Sequence, residues 1–182
     1  MGKGTIYPRI RRIIRNTYKE GKILEVGAGI SPYKDLFIDR FHLRTDLPGS
    51  KYAVGEEVDV YCDARFLPFN KGAFGFIFGV AVYYLVENPD LAFVSAWQSL
   101  AQRGVFLVID YTEEMQINAF RRHLANGSVR FFNKWNVKEL RRLLLHSGFS
   151  RITRIKYYPT WALCFRKLTS KQINWVIFKA RK

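Results

Sequence analysis

The sequence predicts an α/β fold built on a doubly wound, mostly parallel β-sheet of seven strands with helices on both faces. Three observations support this prediction: a glycine turn directly after a short buried strand, carboxylates at the ends of successive predicted strands, and a regular alternation of strands with helices or loops. Strands that alternate with helices along a chain form parallel sheets through right-handed crossovers.

The glycine turn follows the first predicted strand. Residues 23–26 are apolar except for Glu25, and residues 27–29 read Gly-Ala-Gly. Glycine is favoured where the backbone turns sharply at the carboxyl end of a strand and a ligand approaches closely. Ser31 and Pro32 suit the N-cap and the first turn of a helix, so this segment predicts a strand, a turn and a helix start.

The remaining elements follow from apolar runs and stop signals. Six further strands are predicted at residues 42–46, 58–63, 74–82, 105–109, 150–157 and 173–179. The fourth strand of the chain is almost wholly apolar, as expected at the centre of a parallel sheet, and the last two strands are predicted to pair as an antiparallel hairpin. Helices are predicted near residues 32–40, from Asn88 to a C-cap at Gly104, and from Asn136 to Gly148.

Length and composition predict one domain over residues 1–182. A chain of 182 residues buries roughly 70% of its unfolded surface, so its core needs no disulfide or metal. The longest nearly uncharged run, residues 74–86, is shorter than the roughly 20 residues of a membrane span. The first residues lack the apolar core of a secretory signal, and Cys62 and Cys164 are the only cysteines, so a cytoplasmic location is expected.

The net charge of +15 is distributed unevenly. Residues 1–22 carry seven Lys/Arg and one acid, residues 23–120 carry seven and thirteen, and residues 121–182 carry sixteen and one. This excess indicates an anionic partner, either RNA, an acidic membrane surface or a phosphorylated substrate; the alternative is a solvated basic surface. Residues 1–21 contain a basic amphipathic helix whose apolar stripe either packs on the domain or attaches it peripherally to an anionic membrane.

Taken in order, the motifs resemble those of the class I S-adenosylmethionine-dependent methyltransferases, which have a Rossmann-like fold, and among them the methyltransferase type 11 group. The resemblance rests on Glu25 with the glycine turn, Asp46 after the second strand, Cys62-Asp63-Ala64, and the fourth strand before Asn88-Pro89. It implies methyl transfer with S-adenosyl-L-methionine as the cofactor.

The acids at the strand ends have predicted contacts to this cofactor. Asp46 is placed to accept hydrogen bonds from the ribose hydroxyls, and Asp63 with the Ala64 backbone to meet the adenine edge. The resemblance implies that Glu25 helps to hold the methionine ammonium group. The complete predicted cofactor set is Glu25, Gly27, Ala28, Gly29, Asp46, Leu47, Asp63, Ala64, Gly79 and Val80. The alternatives are an exposed strand-end charge for Glu25, a turn residue for Asp46 and a helical N-cap for Asp63.

A nicotinamide-dependent dehydrogenase would share the first strand, the glycine turn and the following acid. Its fingerprint places glycine or alanine at the third conserved position, where this chain has Pro32, so this alternative is disfavoured. A metal site is not predicted, because the three histidines are widely scattered.

Candidate catalytic residues lie after the fourth and fifth strands. Tyr84, Tyr111 and His123 are predicted to act at the acceptor, with Asp110 as a further candidate. Histidine has the most suitable intrinsic pKa for a general base, although a solvated histidine is the alternative for His123. Residues 111–135 are predicted to form a substrate-side insertion, because a long irregular connection in a compact domain is usually functional.

The acceptor is predicted by elimination. Residues 79–82 read Gly-Val-Ala-Val in place of an Asn/Asp-Pro-Pro-Tyr/Phe motif, which disfavours methylation of base or amide nitrogens. A hydroxyl or carboxyl group of a small-molecule, sugar or lipid-linked substrate is therefore the leading prediction. An RNA methyltransferase whose basic flanks bind phosphates is one alternative. A non-catalytic binding or scaffold subunit is another, because residues 74–75 and 84–85 depart from the family pattern.

Overall fold

A computed structural model describes residues 7–50, 52–53, 57–111, 133, 136–155 and 175–182. The strands are β1 (Ile23–Val26), β2 (His42–Asp46), β3 (Val60–Tyr61), β4 (Phe74–Val80), β5 (Leu100–Tyr111), β6 (Ser150–Arg154) and β7 (Trp175–Arg181). The α-helices are α1 (Tyr7–Thr17), α2 (Pro89–Ser99) and α3 (Val137–His146). Short 3₁₀ turns cover Lys34–Phe37, Ala64–Phe66 and Tyr83–Leu85.

The seven strands form one sheet in the order β3-β2-β1-β4-β5-β7-β6. β1 to β5 pair in parallel, and β7 runs antiparallel to both β5 and β6. The predicted seven-stranded, doubly wound sheet with an antiparallel C-terminal pair is therefore confirmed.

Each face of the sheet carries its own core. On one face, α2 and α3 cover β1, β4, β5 and β7, and the buried residues include Leu24, Phe106 and Leu144. On the other face, Ile10 and Ile14 of α1 are buried among the alternate residues of the same strands. The apolar stripe of α1 thus packs on the sheet, which is the first of its two predicted positions. In the part of the chain that the structure describes, no helix combines the length and apolarity needed to cross a bilayer.

Several predicted boundaries are wrong. α2 ends at Ser99 rather than near Gly104, because Leu100 is already extended, pairs with Phe74 and is fully buried. β4 ends at Val80, two residues earlier than predicted. β3 contains two residues rather than six, since only Val60 and Tyr61 pair with β2.

The helix predicted near residues 32–40 is only the 3₁₀ turn Lys34–Phe37. Ser31 does not cap it: its φ is +42°, and its hydroxyl donates a hydrogen bond to Glu25. The side chain of Ser31 therefore serves β1 rather than a helix terminus. Of the predicted insertion, only Tyr111 and Asn133 belong to the described residues.

Candidate functional site

The candidate site lies where the direction of strand addition reverses. β1 has β2 on one side and β4 on the other, so the chain first builds the sheet outward through β2 and β3 and then returns to add β4 and β5. In open α/β sheets, ligands bind at the carboxyl ends of the strands beside such a switch point. The glycine turn after β1 occupies this position.

Both glycines of the turn adopt the left-handed backbone conformation, with φ of +67° at Gly27 and +55° at Gly29. A Cβ atom on Gly27 would lie 2.3 Å from Cγ2 of Val82, and one on Gly29 would lie 3.3 Å from the carbonyl oxygen of Tyr52. The glycine turn is therefore packed closely against two other segments of the chain, at Val82 and at Tyr52. Ala28 between them is buried, and its N–H donates to the carbonyl of Thr45.

Asp46 joins the glycine turn to the end of β2. Its Oδ2 accepts a hydrogen bond of 2.7 Å from the Gly29 N–H, and its Oδ1 accepts one of 2.7 Å from the Leu47 N–H. The half-buried carboxylate is thus fixed beside the turn, whereas the Leu47 side chain is exposed. Each carboxylate oxygen has a second lone pair, so Asp46 retains the capacity to accept hydrogen bonds from a ligand.

Glu25 is buried beneath the turn. Its Oε2 accepts a hydrogen bond of 2.9 Å from the Ser31 hydroxyl, and Nε2 of His42 lies 3.0 Å away. Among the described residues, this buried nitrogen of His42 has no hydrogen-bond partner, so His42 lies close to Glu25 without a hydrogen bond between them. Sequence reasoning missed Ser31 and His42 as neighbours of Glu25; no local pattern indicates that they converge on it.

Asp63 is the N-cap of the Ala64–Phe66 turn, which is the alternative considered for it from the sequence. Its carboxylate accepts hydrogen bonds from the Arg65 N–H at 2.9 Å and from Nη2 of the same side chain at 2.7 Å. The Arg65 guanidinium holds the pKa of the Asp63 carboxyl below its usual range. Arg65 also contacts Glu87, so Asp63, which was predicted to meet the adenine edge, belongs to a local ionic group.

The ends of β4 and β5 carry aromatic residues. A Cβ atom on Gly79 would lie 2.8 Å from the ring of Tyr83, and Val80 beside it is half-buried. The rings of Tyr84 and Tyr111, two of the predicted catalytic residues, meet edge to face with their centroids 5.1 Å apart. His123, the third, lies outside the described residues.

Asp110 is fully buried between these tyrosines. Its Oδ2 accepts from the Tyr84 N–H at 2.9 Å, and its Oδ1 accepts from the Tyr111 N–H at 2.8 Å. Burial raises the pKa of Asp110 to about 8, although these backbone hydrogen bonds oppose the shift. Asp110 therefore positions the two tyrosines and does not itself face the mouth of the crevice.

Asn133 binds the carbonyl groups of the Tyr83–Leu85 turn, whereas Asp110 binds an N–H of the same turn. Its N–H donates to the Tyr84 carbonyl at 2.7 Å, and its side-chain amide donates to the carbonyls of Tyr83 and Val86. Sequence reasoning missed Asn133, because an asparagine in an irregular segment resembles any turn residue. The structure thus brings residues from β4, β5 and the predicted insertion together at one end of the sheet.

Comparisons with known proteins identify the fold. No protein-family model matches the chain, and no relative was found among curated proteins. Solved structures do match: an S-adenosylmethionine-dependent methyltransferase from Archaeoglobus fulgidus has a TM-score of 0.75 at 12% identity over 97% of this chain and 93% of that chain. Those from Mesorhizobium loti and Thermotoga maritima both have TM-scores of 0.71 at 16% identity.

These last two structures cover 94% and 97% of this chain and 96% and 88% of their own chains, respectively. Identities this low carry information about the fold alone. The chain therefore has the class I, Rossmann-like fold of the S-adenosylmethionine-dependent methyltransferases, as the ordered motifs predicted.

Proposed function

We propose that this protein is an S-adenosyl-L-methionine-dependent methyltransferase whose cofactor binds across the carboxyl ends of β1 and β2. The observation that carries the proposal is the Asp46 carboxylate, which the Gly29 and Leu47 N–H groups hold beside the glycine turn. A carboxylate fixed in this way is preorganised to accept hydrogen bonds from a ribose diol. When bound, the cofactor supplies a methyl group on a sulfonium sulfur.

The predicted contacts fit this cofactor to different degrees. Asp46 fits the ribose, because its oxygens retain acceptor capacity after the two backbone hydrogen bonds. The Asp63 carboxylate is already paired with Arg65, so the Ala64 backbone is the better candidate for the adenine edge. Glu25 is buried with Ser31 and His42, and we assign it to supporting the glycine turn from below.

On the acceptor side, the residues after β4 and β5 would orient the nucleophile. Methyl transfer is an in-line displacement, so alignment at roughly 3–3.5 Å supplies much of the rate. Asp110 and Asn133 hold Tyr84 and its turn in one arrangement, and Tyr111 packs against the Tyr84 ring. Tyr84 is buried in the core, whereas Tyr111 is half-buried. We therefore assign acceptor positioning to Tyr111, with the Tyr84 ring supporting it from below.

The first candidate for the acceptor, from the motif analysis, is a hydroxyl or carboxyl group on a small-molecule, sugar or lipid-linked substrate. A nucleic-acid acceptor is the second candidate, and a specific observation favours it: the antiparallel side of the sheet carries cations that pair with no carboxylate among the described residues.

Calorimetric titration with S-adenosyl-L-methionine tests the cofactor proposal. Asp46→Ala should weaken binding by about 10- to 100-fold, because hydrogen bonds to a charged group contribute about 1.5–3 kcal/mol. Asp46→Asn, which retains one carbonyl oxygen, should lose less. Asp39→Ala removes an exposed acid after the first 3₁₀ turn and should bind as the wild type does.

Thermal unfolding of each variant separates a lost ligand contact from a lost fold. An Asp46→Ala variant that stays folded and binds with unchanged affinity would show that the ribose assignment is wrong. A folded wild-type protein that does not bind the cofactor would refute the methyltransferase proposal and favour a non-catalytic binding or scaffold subunit.

A further inference from the structure

Charge is segregated across the width of the sheet. The described segments of the antiparallel side, residues 136–155 and 175–182, carry eight Lys/Arg and a single acid, Glu139. The Lys and Arg ion pairs found among the described residues all lie between residues 11 and 87, and their cationic partners are Arg11, Lys34, Arg44 and Arg65. In the part of the chain that the structure describes, none of the eight cations pairs with a carboxylate.

α3 presents a basic face to solvent. Lys138, Arg141 and Arg142 are exposed, at the three- and four-residue spacing that places side chains on one side of a helix. Leu140 and Leu144, on the opposite side, are fully buried in the core with α2 and β7. The side of α3 that faces the sheet is therefore apolar, and the outer side is cationic.

β6 extends this basic face onto the edge of the sheet. Arg151 and Arg154 are exposed on this edge strand. Arg154 pairs in register with Phe178, whose side chain lies in the same core as Leu144. Because paired residues point to the same face of a sheet, Arg154 lies on the side that α3 covers. These residues make up the α3–β6 basic surface: Lys138, Arg141, Arg142, Arg151 and Arg154.

One end of this surface lies beside the candidate site. Phe178 pairs with Val108 of β5, two residues before Asp110, so Arg154 lies toward the carboxyl ends of the parallel strands. Asn133, which contacts the Tyr84 carbonyl, precedes the first residue of α3 by four positions. A polymer lying along the surface from Arg151 toward Lys138 would approach the acceptor side of the site.

We propose that the α3–β6 basic surface binds the phosphodiester backbone of a single-stranded nucleic acid, and that this nucleic acid carries the methyl acceptor. The second part of the proposal rests on the proposed methyltransferase function. Unpaired cations at this spacing bind a polyanion with release of its condensed counterions, which is a favourable, salt-dependent term. Tyr111, which is half-buried near the acceptor side, suits stacking of an unpaired base.

A membrane surface is a poorer occupant. Helices that bind a bilayer place an apolar face between the lipid headgroups. Here Ile10 and Ile14 of α1, and Leu140 and Leu144 of α3, lie in the protein core. A single exposed leucine, Leu145, does not provide such a face on α3.

Fluorescence anisotropy with labelled uridine and thymidine oligonucleotides of equal length, over about 50–200 mM salt, tests this surface. For single strands, the slope of log K against log salt is about −0.7 for each phosphate contact. The double substitution Arg141→Gln/Arg142→Gln should therefore make the slope shallower by about 1.4 and weaken binding. Similar affinity for the two oligonucleotides supports binding through the phosphodiester backbone, which they share.

The matched control is Arg40→Gln/Lys71→Gln. It lowers the net charge by the same amount at exposed cations outside the surface and should leave the slope unchanged. Any one of three results would overturn the proposal. These are an equal loss of oligonucleotide affinity in both double variants, no oligonucleotide binding by the wild type, and tighter binding to phosphatidylglycerol vesicles than to either oligonucleotide.

Calorimetry on the same preparations separates the two proposals. Cofactor binding without oligonucleotide binding would leave the proposed methyltransferase standing and overturn the nucleic-acid surface. Oligonucleotide binding that depends on Arg141 and Arg142, without cofactor binding, would support the surface and refute the role of the nucleic acid as methyl acceptor.

Discussion

Gly27→Ala tests whether the glycine turn is packed as tightly as the structure indicates. The new Cβ atom would lie 2.3 Å from Cγ2 and 2.8 Å from Cγ1 of Val82, and the backbone at this position has a φ of +67°. The substitution therefore combines a strained backbone with a steric overlap. Gly49→Ala is the matched control, because Gly49 has a φ of +75° but a Cβ atom added there would meet no other atom within 4 Å.

The expected cost of Gly27→Ala is the sum of two terms. An alanine in the left-handed region costs about 1–2 kcal/mol. Overpacking against Val82 adds about 1–3 kcal/mol, because both methyl groups of Val82 must move. The free energy of unfolding should thus fall by about 2–5 kcal/mol for Gly27→Ala and by only about 1–2 kcal/mol for Gly49→Ala.

Urea unfolding of both variants measures these free energies, with the slope m as the check on two-state behaviour. Adding Val82→Ala to Gly27→Ala should recover part of the steric term, so the two substitutions should couple in a double-mutant cycle. If Gly27→Ala destabilises the protein no more than Gly49→Ala does, the contact between the turn and Val82 does not hold.

Two further predictions concern single side chains. Asp110→Asn should flatten the pH dependence of stability. In the folded protein, burial raises the pKa of Asp110 from 3.8 to about 8. The stability that this group contributes is therefore fully present below about pH 4 and is lost as the pH rises through about 8, by at most about 6 kcal/mol. Unfolding free energies measured across this range check it, and equal slopes for both proteins would contradict it. Asn136→Ala should lower the unfolding free energy by about 1 kcal/mol, because the Asn136 side chain accepts from two backbone N–H groups in the first turn of α3. Asn136→Ser, which retains a capping oxygen, should restore most of it in the same urea assay.

The local patterns predicted much of the fold correctly. The range predicted for the second strand, residues 42–46, is the observed β2, and β4 begins at Phe74 as its apolar run indicated. Asn136 caps α3 as its position before an amphipathic run predicted. These features depend on near neighbours in the chain, so the sequence contains the information needed to predict them.

The errors arose where distant segments decide the conformation. Gly104 resembles a helix C-cap, yet Leu100 already pairs with Phe74 of β4, and sheet pairing outweighs the local signal. Ser31 resembles an N-cap, but the buried Glu25 takes its hydroxyl as a hydrogen-bond donor. In both cases, the partner that determines the conformation cannot be identified from the residues beside it.

The sequence by itself determined the class of fold, the position of the glycine turn and the acids that follow the strands. Only the tertiary structure decided how those acids are used: Asp46 stands beside the turn with acceptor capacity left, whereas Glu25 lies buried near His42, which comes from the neighbouring strand. It also decided where the basic C-terminal residues go, because the pairing of β7 with β5 gathers them on one side of the sheet. The physical reason is the same in both cases: composition and spacing record which charges a chain carries, but their interactions depend on distances through space, which the folded sheet sets.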